Sequence, residues 1–424
     1  MPDDNPKPFS IFSDGRFGFN IELLRYLGPG FLVTVGFIDP GNWAANIAAG
    51  SEFNYSLLWV VTLGTAMLVV LQHISAHLGI VTGECLAESC RRWFPGWANL
   101  IFGGSIMAAC TATALAEFLG AGIGISIITG MPLSASVVIA GTAVLMLVGV
   151  QRYDSIEHVV IAFVSIIGFC YLIEMFLVKP DWGMAAAAAF TPSLDGRMVF
   201  IAMGMLGAVV MPHNLYLHSE VIQRRNWSAA THERKKTLLR YEFLDTLLAM
   251  GAGWVINAAM VVVAAAVFYG NGVVVTDIVQ ASATLRPLAG PLATGLFAVA
   301  LLCAGISSSI TACLAGGTVF TGFLGKEIDH RGGWFRTGVL VAAVPAIVMA
   351  AFVTDTYKAL IWSQVLLSLQ LPLSVLPLIL LTRSRKVMGR YANGRVEGLL
   401  LYLCAVVSVV LNGLLVLSFV GVGF

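Results

Sequence analysis

The chain is 424 residues long, 58% hydrophobic and only 11% charged, with a formal net charge of +1 and a mean hydropathy of +0.87. A soluble domain carries about 25% charged residues, so this composition excludes an ordinary water-soluble globule. The balanced charge and the absence of a basic amphipathic stretch give no reason to expect a nucleic-acid partner. Apolar runs of roughly 20 residues, the length that crosses a hydrocarbon core, predict an all-α polytopic membrane protein.

In chain order, residues 1–26 are polar and contain acids and prolines. They lack the basic region, apolar core and small-residue cleavage site of a signal peptide, and are read as a short cytoplasmic tail. Eleven spans are predicted: Leu27–Ala49, Leu57–Ile80, Ala98–Ile128, Leu133–Val150, Ile156–Val178, Met198–Ile222, Leu238–Phe268, Gly290–Phe320, Thr337–Val353, Tyr357–Leu381 and Val396–Val420. Connectors such as Phe94-Pro95-Gly96 and Tyr269-Gly270-Asn271-Gly272 carry turn chemistry. With the N-terminus inside, 20 of the 24 basic residues fall on inner segments, leaving Lys179, Arg197, Arg286 and Lys358 outside. That bias supports the orientation and, with eleven spans, places the C-terminus outside. The seven cysteines form no CxxC pair and read as small packing residues.

Spans one and six are each interrupted, by Asp39-Pro40-Gly41-Asn42 and by Met211-Pro212-His213. Unwound backbone and polar side chains at that depth are tolerated only where protein covers them or a watery cavity reaches them. Interruptions at matching places in two halves point to a transporter's binding site. An inverted repeat of five spans, 27–178, then follows as a second of five, 198–381, with one extra span at 396–420.

The residue types at the breaks restrict the solute. Asp39 offers a hard anionic oxygen, Asn42 a neutral amide oxygen and Met211 a soft thioether sulfur. That mixture suits Mn²⁺ or Fe²⁺, whereas an all-oxygen cage suits Mg²⁺ or Ca²⁺. A methionine in an apolar span is ordinarily packing and a proline a kink. An aspartate at a Pro-Gly break inside a span is costly to bury and functional by default.

Other polar residues inside spans have two readings each. His213 and His218 stand five apart and share no helix face, so each handles protons or packs as a hydrogen-bonded imidazole. Glu117 in span three is a proton acceptor or a hydrogen-bonded acid that orders helix packing, and Gln364 is a neutral donor of oxygen within reach of the cavity. His73 and His77, with Glu84, Cys85, Glu88 and Cys90 beyond them, lack zinc-site spacing and read as solvated interfacial residues. Glu157, His158, Asp245 and the basic loop Arg224–Arg240 form an inner gate by ion pairing, or are surface charges worth little.

Three rivals to a metal transporter are weaker. A sodium-coupled amino-acid transporter would hold a substrate carboxylate, for which an Asp–Met pair is poorly suited. An intramembrane metalloenzyme would want HExxH, which the sequence does not contain. A channel would want a filter loop, and nothing reads as one.

The DPGN of span one with the MPH of span six resembles the Nramp family of divalent metal transporters. The resemblance runs through GPGFLVTVGFIDPGNWAANI, LAEFLGAGIGI, VVMPHNLYLHS, LLCAGISSSITACLAGG and SQVLLSLQLPLSVLPL, and so over essentially the whole chain. It implies a LeuT-like fold and side-chain metal ligands from Asp39, Asn42 and Met211. It implies carbonyl ligands from Gly36 and Ala208, with Gln364 joining in some conformations, and a proton pathway through Glu117, His213 and His218. A magnesium-transporting offshoot of the family loses the methionine that Met211 matches.

Two departures from the family pattern concern protons. Ala114 stands where relatives often have a second carboxylate, and span nine has no internal arginine, Arg336 lying at its start. The resemblance therefore implies a Mn²⁺ or Fe²⁺ importer of the inner (plasma) membrane with weak or altered proton coupling. A Mg²⁺-type or broad divalent transporter of the same fold is the alternative. The expected partners are the metal ion, possible cotransported H⁺ and the bilayer, around a monomer with no resident cofactor.

Overall fold

The computed structural model describes residues 39–150, 168–169, 171–285, 290 and 293–420. The N-terminal tail, most of spans one and five, Gly36, Glu157, His158 and Arg286 lie outside the described residues. The helices are α1 (Pro40–Phe53), α2 (Leu58–Thr82), α3 (Leu86–Trp93), α4 (Gly96–Thr129), α5 (Leu133–Val150), α6 (Trp182–Phe190), α7 (Val199–Val210) and α8 (Pro212–Val221). They continue with α9 (His232–Val267), α10 (Ala293–Phe323), α11 (Gly333–Phe352), α12 (Thr356–Arg383), α13 (Arg385–Met388) and α14 (Arg395–Phe419). Among the described residues, eight helical stretches are long and apolar enough to cross a membrane, α7 and α8 together making one of them.

Local chemistry accounts for where these helices start and stop. α2 and α4 end on Gly83 and Gly130, both left-handed at φ 73°, whose N–H groups close the last turns on Gly79 and Ser126. Asp355 caps α12: its carboxylate accepts the Lys358 N–H at 3.0 Å and pairs with the Lys358 ammonium at 2.9 Å. Those hydrogen bonds hold the exposed carboxyl below its ordinary range. At the centre, α10 crosses α4 closely enough that a Cβ on Gly305 would lie 2.5 Å from the Ala121 nitrogen. Close backbone approach over small residues is the usual way for helices to associate in lipid. At the periphery α14 exposes Leu399, Val406, Val409, Val410 and Val416, a face suited to acyl chains.

The structure alters three expectations. Span seven extends to His232 rather than starting at Leu238, because the basic stretch continues as helix, with Glu233 favourably placed in its first turn. His73 and His77 are not solvated: each is 3% exposed, enclosed by neighbouring helices. Asp245 is buried rather than a surface charge. By contrast Glu84 does lie near the surface, paired with Arg92, while Cys85 and Glu88 form the capping box that starts α3. All six described cysteines are free, and five of them are buried.

Candidate substrate site at the two helix breaks

Asp39 sets the first break. Its backbone is extended, and its Oδ1 accepts the Asn42 N–H at 2.6 Å while Pro40 occupies the first helical position. Capping by Asp with Pro at N1 is a sufficient local reason for α1 to begin here. Capping does not explain why Asp39 and Asn42 are both fully buried. An acid placed there costs free energy unless something positive meets it, and the N-terminal dipole of α1 supplies only part of that.

Met211 makes the second break. It closes α7 through its N–H to the Gly207 carbonyl at 3.1 Å, then turns left-handed at φ 45°, ψ 79° before Pro212 starts α8. A non-glycine residue held there stores about 1–3 kcal/mol, and such strain concentrates at functional sites. Its sulfur lies 3.3 Å from the Asn214 amide nitrogen.

One side chain ties the breaks together. Asn42 Nδ2 donates to the Ala208 carbonyl at 3.0 Å and also to Asp39 Oδ2 at 3.3 Å. Two oxygens from different halves of the chain thus converge on one hydrogen-bearing nitrogen. Of the residues singled out for this site, Asp39, Asn42 and the Ala208 carbonyl meet through these hydrogen bonds.

Gln364 of α12 closes the group. Its amide lies so near Gly41 that a Cβ there would fall 1.9 Å from Nε2, and its backbone oxygen would meet a Cβ on Gly207 at 1.8 Å. At Gly207 the obstacle is backbone, so only glycine fits there, whereas a side chain at Gly41 would displace the Gln364 amide. Gln364 is fully buried; Nε2 donates to Ser363, and Oε1 has no hydrogen-bond partner among the described residues. A buried acceptor of that kind calls for an occupant.

The groups assigned to protons are placed differently. The Pro40 ring packs on Gly120, one turn from Glu117, and Asp39 lies within electrostatic reach of Glu117. Neither Glu117 oxygen has a hydrogen-bond partner among the described residues. His213 Nδ1 meets the Thr113 hydroxyl at 3.3 Å, whereas His218 Nδ1 meets Gln72 Oε1 at 2.9 Å. The two histidines serve separate surroundings, as their spacing implies. Ala114 is fully buried, Arg336 is exposed, and α11 approaches α10 through Ala342 on Gly316.

Several polar partners escape sequence reasoning. Gln72, Thr113 and Glu242 bind the histidines, and Asn46 donates to Asn257 at 2.5 Å, joining α1 to α9. Glu242 and Asn257 did carry a signal, being polar residues inside a predicted span.

The family model for natural resistance-associated macrophage protein-like sequences (Nramp) matches residues 30–418. The divalent metal cation transporter MntH of Caldanaerobacter subterraneus subsp. tengcongensis is 40% identical over 397 residues, covering 93% of either chain. Among solved structures, the manganese transporter of Eremococcus coleocola superposes with a TM-score of 0.78 at 29% identity, over 94% of this chain and 87% of that one. The nucleobase–cation symporter Mhp1 superposes with a TM-score of 0.62 at 18% identity, over 92% of this chain and 91% of that one, a likeness of fold alone.

Proposed function

Because this chain belongs to the Nramp family of LeuT-like membrane transporters, which are not enzymes, we propose that it imports a divalent transition-metal ion, Mn²⁺ or Fe²⁺, by alternating access. The observation that carries this reading is the Asn42 amide held between Asp39 and the Ala208 carbonyl at the meeting of two broken helices. Asp39 provides the charge, Asn42 and the Ala208 carbonyl neutral oxygens, and Met211 the sulfur that favours transition metals. Gln364 completes the shell in some conformations, and Gly36, outside the described residues, contributes a carbonyl. The helices that carry the breaks rock against the rest of the bundle around this site.

The driving force is voltage. Moving a divalent ion through 100 mV yields about 4.6 kcal/mol, roughly a thousandfold gradient, so uptake needs no proton. Proton coupling by way of Glu117 and α11 is weak or altered, since Ala114 is apolar and α11 carries its arginine at an exposed end. The N-terminus is cytoplasmic, the C-terminus outside, and the membrane is the bacterial plasma membrane.

The test is uptake into proteoliposomes at an inside-negative potential. Saturable Mn²⁺ entry at least about tenfold faster than Mg²⁺ entry is expected. Glu117→Gln should hold Mn²⁺ uptake within about threefold of wild type. Equal Mg²⁺ and Mn²⁺ entry favours the broad divalent reading instead. Mn²⁺-driven acidification that Glu117→Gln abolishes would return coupling to the family route.

A further inference from the structure

Away from the breaks, α2, α8 and α9 enclose a second polar cluster. Gln72, His73 and His77 of α2, His218 of α8, and Glu242 and Thr246 of α9 are each at most 3% exposed. His73 Nδ1 is hydrogen-bonded to Glu242 Oε2, and the Thr246 hydroxyl donates to the other oxygen at 2.8 Å. The His77 ring lies parallel to that of His73, centroids 6.1 Å apart, and Phe243 closes on His73 edge-on at 5.2 Å. His218 hydrogen-bonds Gln72, the residue next to His73, and lies within electrostatic reach of both His73 and Glu242. Asp245 and Arg240, also on α9, each have a partner of their own. An apolar layer of Ile80, Leu238, Leu239, Phe243, Trp227 and Tyr391 packs beside the cluster, toward the basic loop.

Packing alone does not account for this group. Gln72 Nε2, His77 Nε2 and His218 Nε2 are buried without a hydrogen-bond partner among the described residues. A purely structural network would satisfy them, because an unmade buried hydrogen bond costs more than a made one returns. Nor is it a metal centre: no group of three or more His, Cys, Asp and Glu able to hold an ion occurs among the described residues. What remains is three imidazoles around a carboxylate, and imidazole is the side chain that takes and gives a proton near neutral pH. α8 links it to the substrate site, since His218 follows Met211 by seven residues, about 10 Å of helix.

We propose that the His73–Glu242 pair, reached from the substrate site through His218 and Gln72, is the proton-binding site of this transporter. It takes one proton, which converts a neutral imidazole beside a carboxylate into an imidazolium–carboxylate pair. The net charge of the pair goes from one negative charge to none. The proton leaves inward when the apolar layer parts. The inference rests on the reading of the chain as a metal importer, and gives its altered coupling a place where α2 and α9 meet the moving α8.

The test measures protons entering per Mn²⁺, using the full chain in proteoliposomes loaded with a Mn²⁺-sensitive and a pH-sensitive dye. Because the readout is a ratio, the fraction of correctly folded protein does not enter it. Glu242→Gln and His73→Gln should each lower the ratio at least about tenfold and flatten the dependence of uptake on external pH. Glu242→Asp should restore it, and Glu84→Gln, at the surface pair with Arg92, should leave it at the wild-type value. An unchanged ratio in both Glu242→Gln and His73→Gln overturns the proposal, as does loss of Mn²⁺ uptake in both, which would make the pair structural. Wild-type Mn²⁺ entry without protons also overturns it while leaving metal import intact. A wild type that takes up no Mn²⁺ overturns import itself.

Discussion

Asp39 and Asp355 do the same local job in opposite surroundings. Each caps a helix by accepting the N–H of the residue three places on, at 2.6 Å for α1 and 3.0 Å for α12. Asp355 is exposed and has the Lys358 ammonium beside it. Asp39 is fully buried, and the groups bonded to it are the backbone and amide of the Asn42 region, with no basic side chain among the described residues. Capping thus explains where a helix begins but not why an acid is buried without a cation. Under the proposed function the cargo supplies that missing positive charge, which sets α1 apart from α12.

The largest effect that sharpens this contrast is on Asp39. Asp39→Ala should lower Mn²⁺ uptake at least about 100-fold and abolish the calorimetric Mn²⁺ signal, since no other charged ligand stands at the breaks among the described residues. Retained binding in that variant would reduce Asp39 to a cap. An intermediate effect is expected at Met211, where removing the sulfur takes away the soft ligand but no charge. Met211→Ala should cut discrimination of Mn²⁺ over Ca²⁺ about tenfold, measured by competition, with a smaller loss of Mn²⁺ flux. Undiminished Ca²⁺ exclusion would count against the thioether as ligand.

The smallest effect belongs to Asp355. Asp355→Ala should leave uptake unchanged and lower thermal stability by about 1 kcal/mol, as for other lost caps. The folded carboxyl titrates below its unfolded value, so its contribution is present at neutral pH and fades as pH falls through the depressed value. A transport defect in Asp355→Ala would erase the distinction between the two caps.

The sequence made one half of the site easy to find. Proline removes a backbone donor and glycine weakens a helix, so Asp39-Pro40-Gly41-Asn42 and Met211-Pro212-His213 mark their own breaks. The structure starts α1 at Pro40 and ends α7 at Val210, beside those residues. The polar cluster around His73 was misplaced because exposure is not a local property. An i, i+4 pair near the end of a predicted span looks interfacial until α8 and α9 are seen to cover it. Glu242 likewise has no meaning without the histidine 169 positions away that it binds.

From its residues alone this chain determined a membrane-spanning helical fold and the places where two helices must break, with oxygen and sulfur side chains beside those breaks. Those follow from transfer free energies and backbone chemistry, which act within a few residues. Tertiary structure decided that Asn42 reaches the Ala208 carbonyl, that Gln364 wedges against Gly41 and Gly207, and that His73 meets Glu242. Such contacts depend on how helices far apart in sequence pack, and packing distances of a few ångströms are set by the whole bundle at once.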